Sequence, residues 1–167
     1  MAGMAGMRTA VVFLIGLGVG LAMRTGLAQE RRLPGMNGVN HLAFATPKYK
    51  EMMAFYTQTL GFQEAFSNKN APGEPTLTYI QASRSTFVEL MAAGANRAAG
   101  FTHFGIHVDD VRAVVARLRE RGLTVADPRI IGSGSFSINV TDPDGNRLEI
   151  SELPADAPAR KAMEAWK

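Results

Sequence analysis

An α+β fold built from two βαβββ modules, their strands joined into one cupped mixed sheet, is what this 167-residue sequence predicts. Three observations carry that expectation. A strand-like stretch with histidine in third place occurs twice, as VNHLAFAT at 39–46 and FTHFGIHV at 101–108. Each is followed by a run at helical spacing that ends at glycine and resumes with an apolar residue, Leu60-Gly61-Phe62 and Arg121-Gly122-Leu123. Each half then closes on a strand with a central glutamate, FVELM at 87–91 and RLEIS at 147–151. His41 and His103 are 62 positions apart, Gly61 and Gly122 61, and Glu89 and Glu149 60. Three anchors in such agreement mark a duplication, with a period far longer than that of solenoid repeats.

Taken in order, residues 1–28 read as a signal peptide. Arg8 precedes an apolar run from Ala10 to Met23 and then the small-residue stretch Thr25-Gly26-Leu27-Ala28. The run is shorter than the roughly 20 residues a spanning helix needs. The expectation is an exported protein, periplasmic or secreted, with no stable membrane span after cleavage; a retained N-terminal anchor is the alternative. The GLGVG within this segment is no dinucleotide fingerprint, because no strand–turn–helix unit surrounds it. Residues 29–37 form a linker, and residues 38–153 the domain proper, with modules 38–92 and 101–153.

In the first module Thr46-Pro47 offers a cap and a first-turn proline, and Met52, Phe55, Tyr56 and Leu60 follow at helical spacing. In the second, Asp109 and Asp110 read as caps before the stripe Val111, Val114, Val115, Leu118. SNKNAPGEP, GSGS and DPDGN are turns, the last joining SFSINVT to RLEISEL as a hairpin. Residues 154–167 form a tail whose ARKAMEAWK is a short helix, with Met163 and Trp166 resting on the domain surface.

Composition narrows the function classes. Apolar residues make up 46% and charged residues 20% of the chain, which fits a globular core. Outside the N-terminal segment the basic and acidic counts nearly balance, and no basic stripe interleaves with aromatics, so no nucleic-acid partner is expected. There is no cysteine, which removes disulfides, thiolate nucleophiles and sulfur-based zinc sites.

Strand parity supplies the chemistry, since side chains alternate faces with period two. His41 lies opposite Leu42 and Phe44, and His103 opposite Phe104, Ile106 and Val108. Glu89 lies opposite Val88 and Leu90, and Glu149 opposite Leu148 and Ile150. The apolar faces take the helices, which leaves two imidazoles and two carboxylates to converge inside the cup. Buried carboxylates that repel each other are resolved by a cation. A donor set of nitrogen and oxygen suits one divalent metal ion: Zn, Ni, Co, Mn or Fe. His107 shares this parity, but four strand residues span about 13 Å, so it lines the rim or hydrogen-bonds locally. The Asn68-Lys69-Asn70 loop and Arg147 read as solvated polar groups able to meet an anion.

NHLAF, the LGF helix exit, FVEL, THFGIHVDDV and DPDGNRLEI together resemble the vicinal oxygen chelate superfamily over about residues 38 to 153. That superfamily includes glyoxalase I, methylmalonyl-CoA epimerase, extradiol dioxygenases and bleomycin or fosfomycin resistance proteins. The resemblance implies paired βαβββ modules around a metal, with His41, Glu89, His103 and Glu149 at the four ligand places. The full His-Glu-His-Glu set looks most like glyoxalase I; the epimerase typically has glutamine at the second place. It implies Lewis-acid proton transfer of lyase or isomerase type on a small vicinal-oxygen compound, with Glu149 first and Glu89 second as base. Two other readings are a Fe(II) extradiol-type dioxygenase using His41, His103 and Glu149, and a sequestering protein without turnover. The resemblance supplies no local motif for glutathione or coenzyme A. A homodimer is possible, the modules pairing within one chain or across two.

Overall fold

A strand beginning at Met36 opens the domain, two residues inside the stretch read as linker. The structure, a computed structural model, describes residues 32–167, so the expected signal peptide lies outside the described residues. Pro34–Lys167 forms one compact unit. Its elements run β1 (Met36–Thr46), α1 (Tyr49–Ala54), a π turn (Phe55–Thr59), β2 (Gln63–Lys69), β3 (Pro75–Ser83) and β4 (Thr86–Ala92). The second copy follows as β5 (Gly100–Val108), α2 (Val111–Glu120), β6 (Arg129–Ile130), β7 (Phe136–Thr141) and β8 (Arg147–Glu152), with α3 (Pro158–Ala165) at the end. This is the expected βαβββ unit twice over. No helix among the described residues is long and apolar enough to cross a membrane.

The eight strands make one curled, half-barrel sheet in the order β2-β3-β4-β1-β5-β8-β7-β6. Within each copy the first and last strands pair in parallel, β1 with β4 and β5 with β8. The copies join where β1 and β5 run antiparallel at the centre, so the modules pair within a single chain.

Each helix leaves through a glycine that only a residue without Cβ enters comfortably: Gly61 at φ 72° and Gly122 at φ 84°. The α2 helix starts as expected, because Asp110 accepts from the N–H groups of Arg112 and Ala113. Asp109 does not cap; it accepts from Asn37 Nδ2 at 2.8 Å. The α1 helix also departs from expectation. Thr46 Oγ1 accepts from Lys48 N at 3.0 Å, and the helix begins only at Tyr49, without a side-chain cap. The threonine closes a local turn rather than a helix end.

Apolar burial divides between the two faces. On the convex side Ile80, Val88 and Leu90 pack against Phe44, Tyr49, Met52, Met53, Tyr56 and Phe62. The α2 stripe Val111, Val114, Val115 and Leu118 is buried as its spacing predicts, against β7 and β8. The helices do not cover the whole face: Leu42 and Phe101, on the central strands, are 41% and 50% exposed. On the concave side Tyr79, Phe87, Leu153 and Ala159 form a second cluster, joined by Ala65, Phe66, Leu77, Ala162 and Met163. Met163 therefore packs into the cup, not onto the outer surface. Gln81 Nε2 ties α3 down by donating to the Ala162 carbonyl at 3.2 Å.

Candidate metal centre

The four sequence-identified side chains converge on the concave face beside the β1–β5 seam. His41 Nε2 and His103 Nε2 stand 3.1 Å apart. Glu89 Oε2 lies 3.3 Å from the first and 3.5 Å from the second. Glu149 lies 3.8 Å from each, through Oε1 to His41 and Oε2 to His103. All four residues are at most 7% exposed, so water does not screen their mutual interactions.

Register explains the convergence. Ala43 on β1 pairs with both Glu89 and His103, while His41 pairs with Gly105, which also pairs with Glu149. Alanine and glycine at these two places keep the floor low under the imidazoles. Gly105 is indispensable to the arrangement: a Cβ there would overlap the His41 ring. A glycine inside a strand is the sequence sign of such a close approach, and in THFGIH that sign was present beside the histidine.

Outer partners orient each of these side chains. Asn40 Nδ2 donates to the Ser85 carbonyl at 3.0 Å, which leaves its Oδ1 to accept from His41 Nδ1–H at 3.2 Å. That tautomer keeps the His41 Nε2 lone pair pointing into the cluster. Around His103 Nδ1 stand Thr102 Oγ1 at 3.0 Å and an Arg147 amino group at 2.5 Å. Tyr79, opposite Glu89 in register, donates its hydroxyl to Glu89 Oε2 at 3.0 Å. Ser151 donates to Glu149 Oε1 at 3.0 Å and contacts Ser137 Oγ at 2.7 Å. Tyr79, Asn40, Thr102 and Ser151 had no separate signal in the sequence, being ordinary strand residues until the register is known.

The electrostatics of the two carboxylates differ. Burial pushes Glu89 up, but the His103 contact, the His41 and His103 imidazoles and the Tyr79 hydroxyl together pull it below its ordinary value. Glu149 is raised, by burial first and by the Glu89 charge second, with His103, Ser151 and Arg147 opposing. Burial and the Glu89 and Glu149 charges hold the Tyr79 phenol well above its ordinary range, so it remains a hydrogen-bond donor. Burial also drives His41 down to about 4, against the pull of Glu89.

A metal ion is implied by this donor set, and the geometry fits one. A metal–ligand bond of about 2.1 Å sets neighbouring donors about 3.0 Å apart at right angles and about 3.4 Å apart at tetrahedral angles. The imidazole–imidazole and Glu89 separations fall close to those values, and the Glu149 separations are slightly longer. His41, His103 and Glu149 form a grouping able to hold a metal, with donor atoms within 4.8 Å of one another. Glu89 faces the same two nitrogens from its own side.

One consequence can be measured directly. In a histidine Cε1 NMR titration of chelator-treated protein, His41 is expected to stay neutral down to about pH 4. The unfolded chain takes up a proton as pH falls below about 6.5, and the folded chain refuses it. This contribution to stability is therefore whole above that value and is lost as pH falls toward 4; the raised Glu149 acts with the opposite sign. Titration of His41 at an ordinary imidazole value would refute the buried setting.

His107 corrects an expectation. It is buried, not at a rim, and its Nε2 has no hydrogen-bond partner. Burial and the nearby Arg160 lower its affinity for protons, with Asp109 opposing. The loop expected to be solvated is also structural: Asn68 Nδ2 donates to the Gly132 carbonyl at 2.6 Å, and Asn70 Oδ1 accepts from Glu74 N. A separate cavity of about 560 Å³ lies between α1, the β2–β3 loop and Arg97 and shares no residue with the cluster.

Comparison with known proteins agrees with this architecture. A sequence model described as Glyoxalase/Bleomycin resistance protein/Dioxygenase superfamily matches residues 38–150. The chain is 26% identical over 163 residues to a 2-epi-5-epi-valiolone epimerase from Actinomyces sp, covering 80% of this chain and 89% of that protein. It is similar in structure to methylmalonyl-CoA epimerase from Mycobacterium tuberculosis, with TM-score 0.59, 17% identity and coverage of 74% of this chain and 94% of that one. A selenomethionine form of a methylmalonyl-CoA epimerase gives TM-score 0.56 and 27% identity, covering 70% and 94%.

Proposed function

We propose that this chain, which belongs to the Glyoxalase/Bleomycin resistance protein/Dioxygenase superfamily, is a metal-dependent isomerase that moves a proton on carbon next to a carbonyl. The observation that supports it is the pair of carboxylates held in unlike settings around two imidazoles. Such a split lets one carboxylate stay ionised as a fixed anchor while the other takes up and gives up a proton. A relative named as an epimerase, aligned over most of the chain, supports the same reaction class.

His41, His103, Glu89 and Glu149 would hold a divalent cation, which supplies Lewis-acid stabilisation of negative charge developing on the substrate's oxygens. Glu89 is the stationary member: Tyr79 donates to the same Oε2 that faces the imidazoles, so turning this carboxylate breaks several contacts at once. Glu149 is the freer one, with longer separations, a single hydroxyl donor and a raised proton affinity. It takes the proton from the substrate carbon. Glu149 then gives that proton up to solvent, and a solvent-derived proton delivered to the opposite face of the carbon completes the epimerisation.

The test is deuterium wash-in. Protein loaded with Zn²⁺, Co²⁺, Ni²⁺, Mn²⁺ or Fe²⁺ is offered 2-epi-5-epi-valiolone or methylmalonyl-CoA in D₂O, and the substrate carbon is followed by mass spectrometry. Metal-dependent exchange that chelation abolishes is the expected result. Tight metal binding with no exchange on either compound or on simple α-hydroxy ketones would sink the isomerase reading.

A further inference from the structure

Two hydrogen-bond chains compete for one nitrogen at the site. A neutral imidazole has one N–H and one lone pair, and His103 Nδ1 is approached by groups that demand opposite states. Arg147 carries only donors, so its amino group at 2.5 Å requires the lone pair at Nδ1. The proton then sits on Nε2 and can be given to the His41 Nε2 lone pair 3.1 Å away, which is free because His41 Nδ1 donates to Asn40. The chain Arg147–His103–His41–Asn40–Ser85 is thereby satisfied at every link.

The alternative runs through Thr102. Its hydroxyl donates to the Ala43 carbonyl at 3.2 Å, which leaves an oxygen lone pair to accept from His103 Nδ1–H at 3.0 Å. Only this second state frees His103 Nε2 to bind a cation. It also sets an N–H against the Arg147 N–H, which drives the guanidinium away. Arg147 shares the concave parity of Glu149 and is solvent-exposed, so it has room to leave.

We propose that Arg147 is the anion anchor of the site, held on His103 until a bound cation reverses the imidazole tautomer and releases the guanidinium to substrate. The substrate class is then a vicinal-oxygen compound that also carries an acid group, one arginine reach from the chelated oxygens. This inference rests on the metal-dependent reading above and names the substrate feature that reading leaves open. Arginine suits the role because its planar fork pairs with carboxylate or phosphate through two parallel bonds.

The experiment has three readouts on the full-length protein. By ¹⁵N NMR, the His103 proton moves from Nε2 to Nδ1 when Zn²⁺ is added. In Zn²⁺ titrations Arg147→Met binds about 3- to 10-fold more tightly than wild type, the scale of one net hydrogen bond, since the competing donor is gone. Thr102→Val binds about 10-fold more weakly, a typical loss for a removed outer partner. Zn²⁺-loaded wild type prefers succinohydroxamate to butyrohydroxamate, which chelate alike but differ in a carboxylate, by about 10-fold, the lower end for a hydrogen bond to a charged group. Arg147→Met abolishes that preference. Zn²⁺ binding with no tautomer change, or with equal affinity for the two hydroxamates, overturns this inference and leaves the proposed function standing. Failure to bind Zn²⁺ or any other divalent ion overturns both.

Discussion

Gly105→Val is expected to abolish metal binding while leaving the sheet intact. The added side chain would occupy the volume of the His41 ring, and the ring has nowhere to retreat within a buried site. Overpacking of this kind costs about 1–3 kcal/mol in stability, which a domain of this size survives. The loss of affinity should be far larger, because the whole His41 donor would be displaced; it should exceed the roughly 100-fold that outer-partner changes reach. Zn²⁺ titration with circular dichroism and thermal unfolding separates the two effects. Gly94→Ala is the control, since nothing lies within 4 Å of a Cβ built there. Unchanged Zn²⁺ affinity in Gly105→Val would show that His41 is not a ligand.

The two glutamates should part company on amidation. Glu149→Gln is expected to slow proton exchange by about 10³-fold, within the range for loss of a general base and equivalent to about 4 kcal/mol of barrier. Glu89→Gln should retain activity within about tenfold, because an amide oxygen can still face the imidazoles and accept from Tyr79. Measuring Zn²⁺ affinity beside exchange rate keeps ligand loss apart from base loss. Equal losses of rate in the two variants, at equal metal occupancy, would show that the carboxylates share the work rather than divide it.

How much of this could be read beforehand depends on the range of the interactions involved. His41, Glu89, His103 and Glu149 were legible because parity along a strand is a local property, and the duplication told which strands to compare. The α2 stripe and its Asp110 cap were legible for the same reason. What parity cannot convey is register. Tyr79 meets Glu89, and Gly105 meets His41, only through cross-strand pairing fixed by the whole sheet. The fate of His107 depends on what packs over the end of β5, and that of Met163 on α3 turning back into the cup. The start of α1 shifted because Thr46 satisfies a nearer backbone N–H than the one a helix would offer.

The antiparallel seam between β1 and β5 carries a consequence for how the protein comes apart. Each duplicate half contributes one imidazole and one carboxylate, and the halves are joined by backbone hydrogen bonding at the seam and by α3 packing on Tyr79 and Phe87. A cation held there would act as a rivet between the two copies. Severing the polypeptide between residues 93 and 99 is expected to leave fragments that chelate poorly alone and hold together more tightly once metal is supplied.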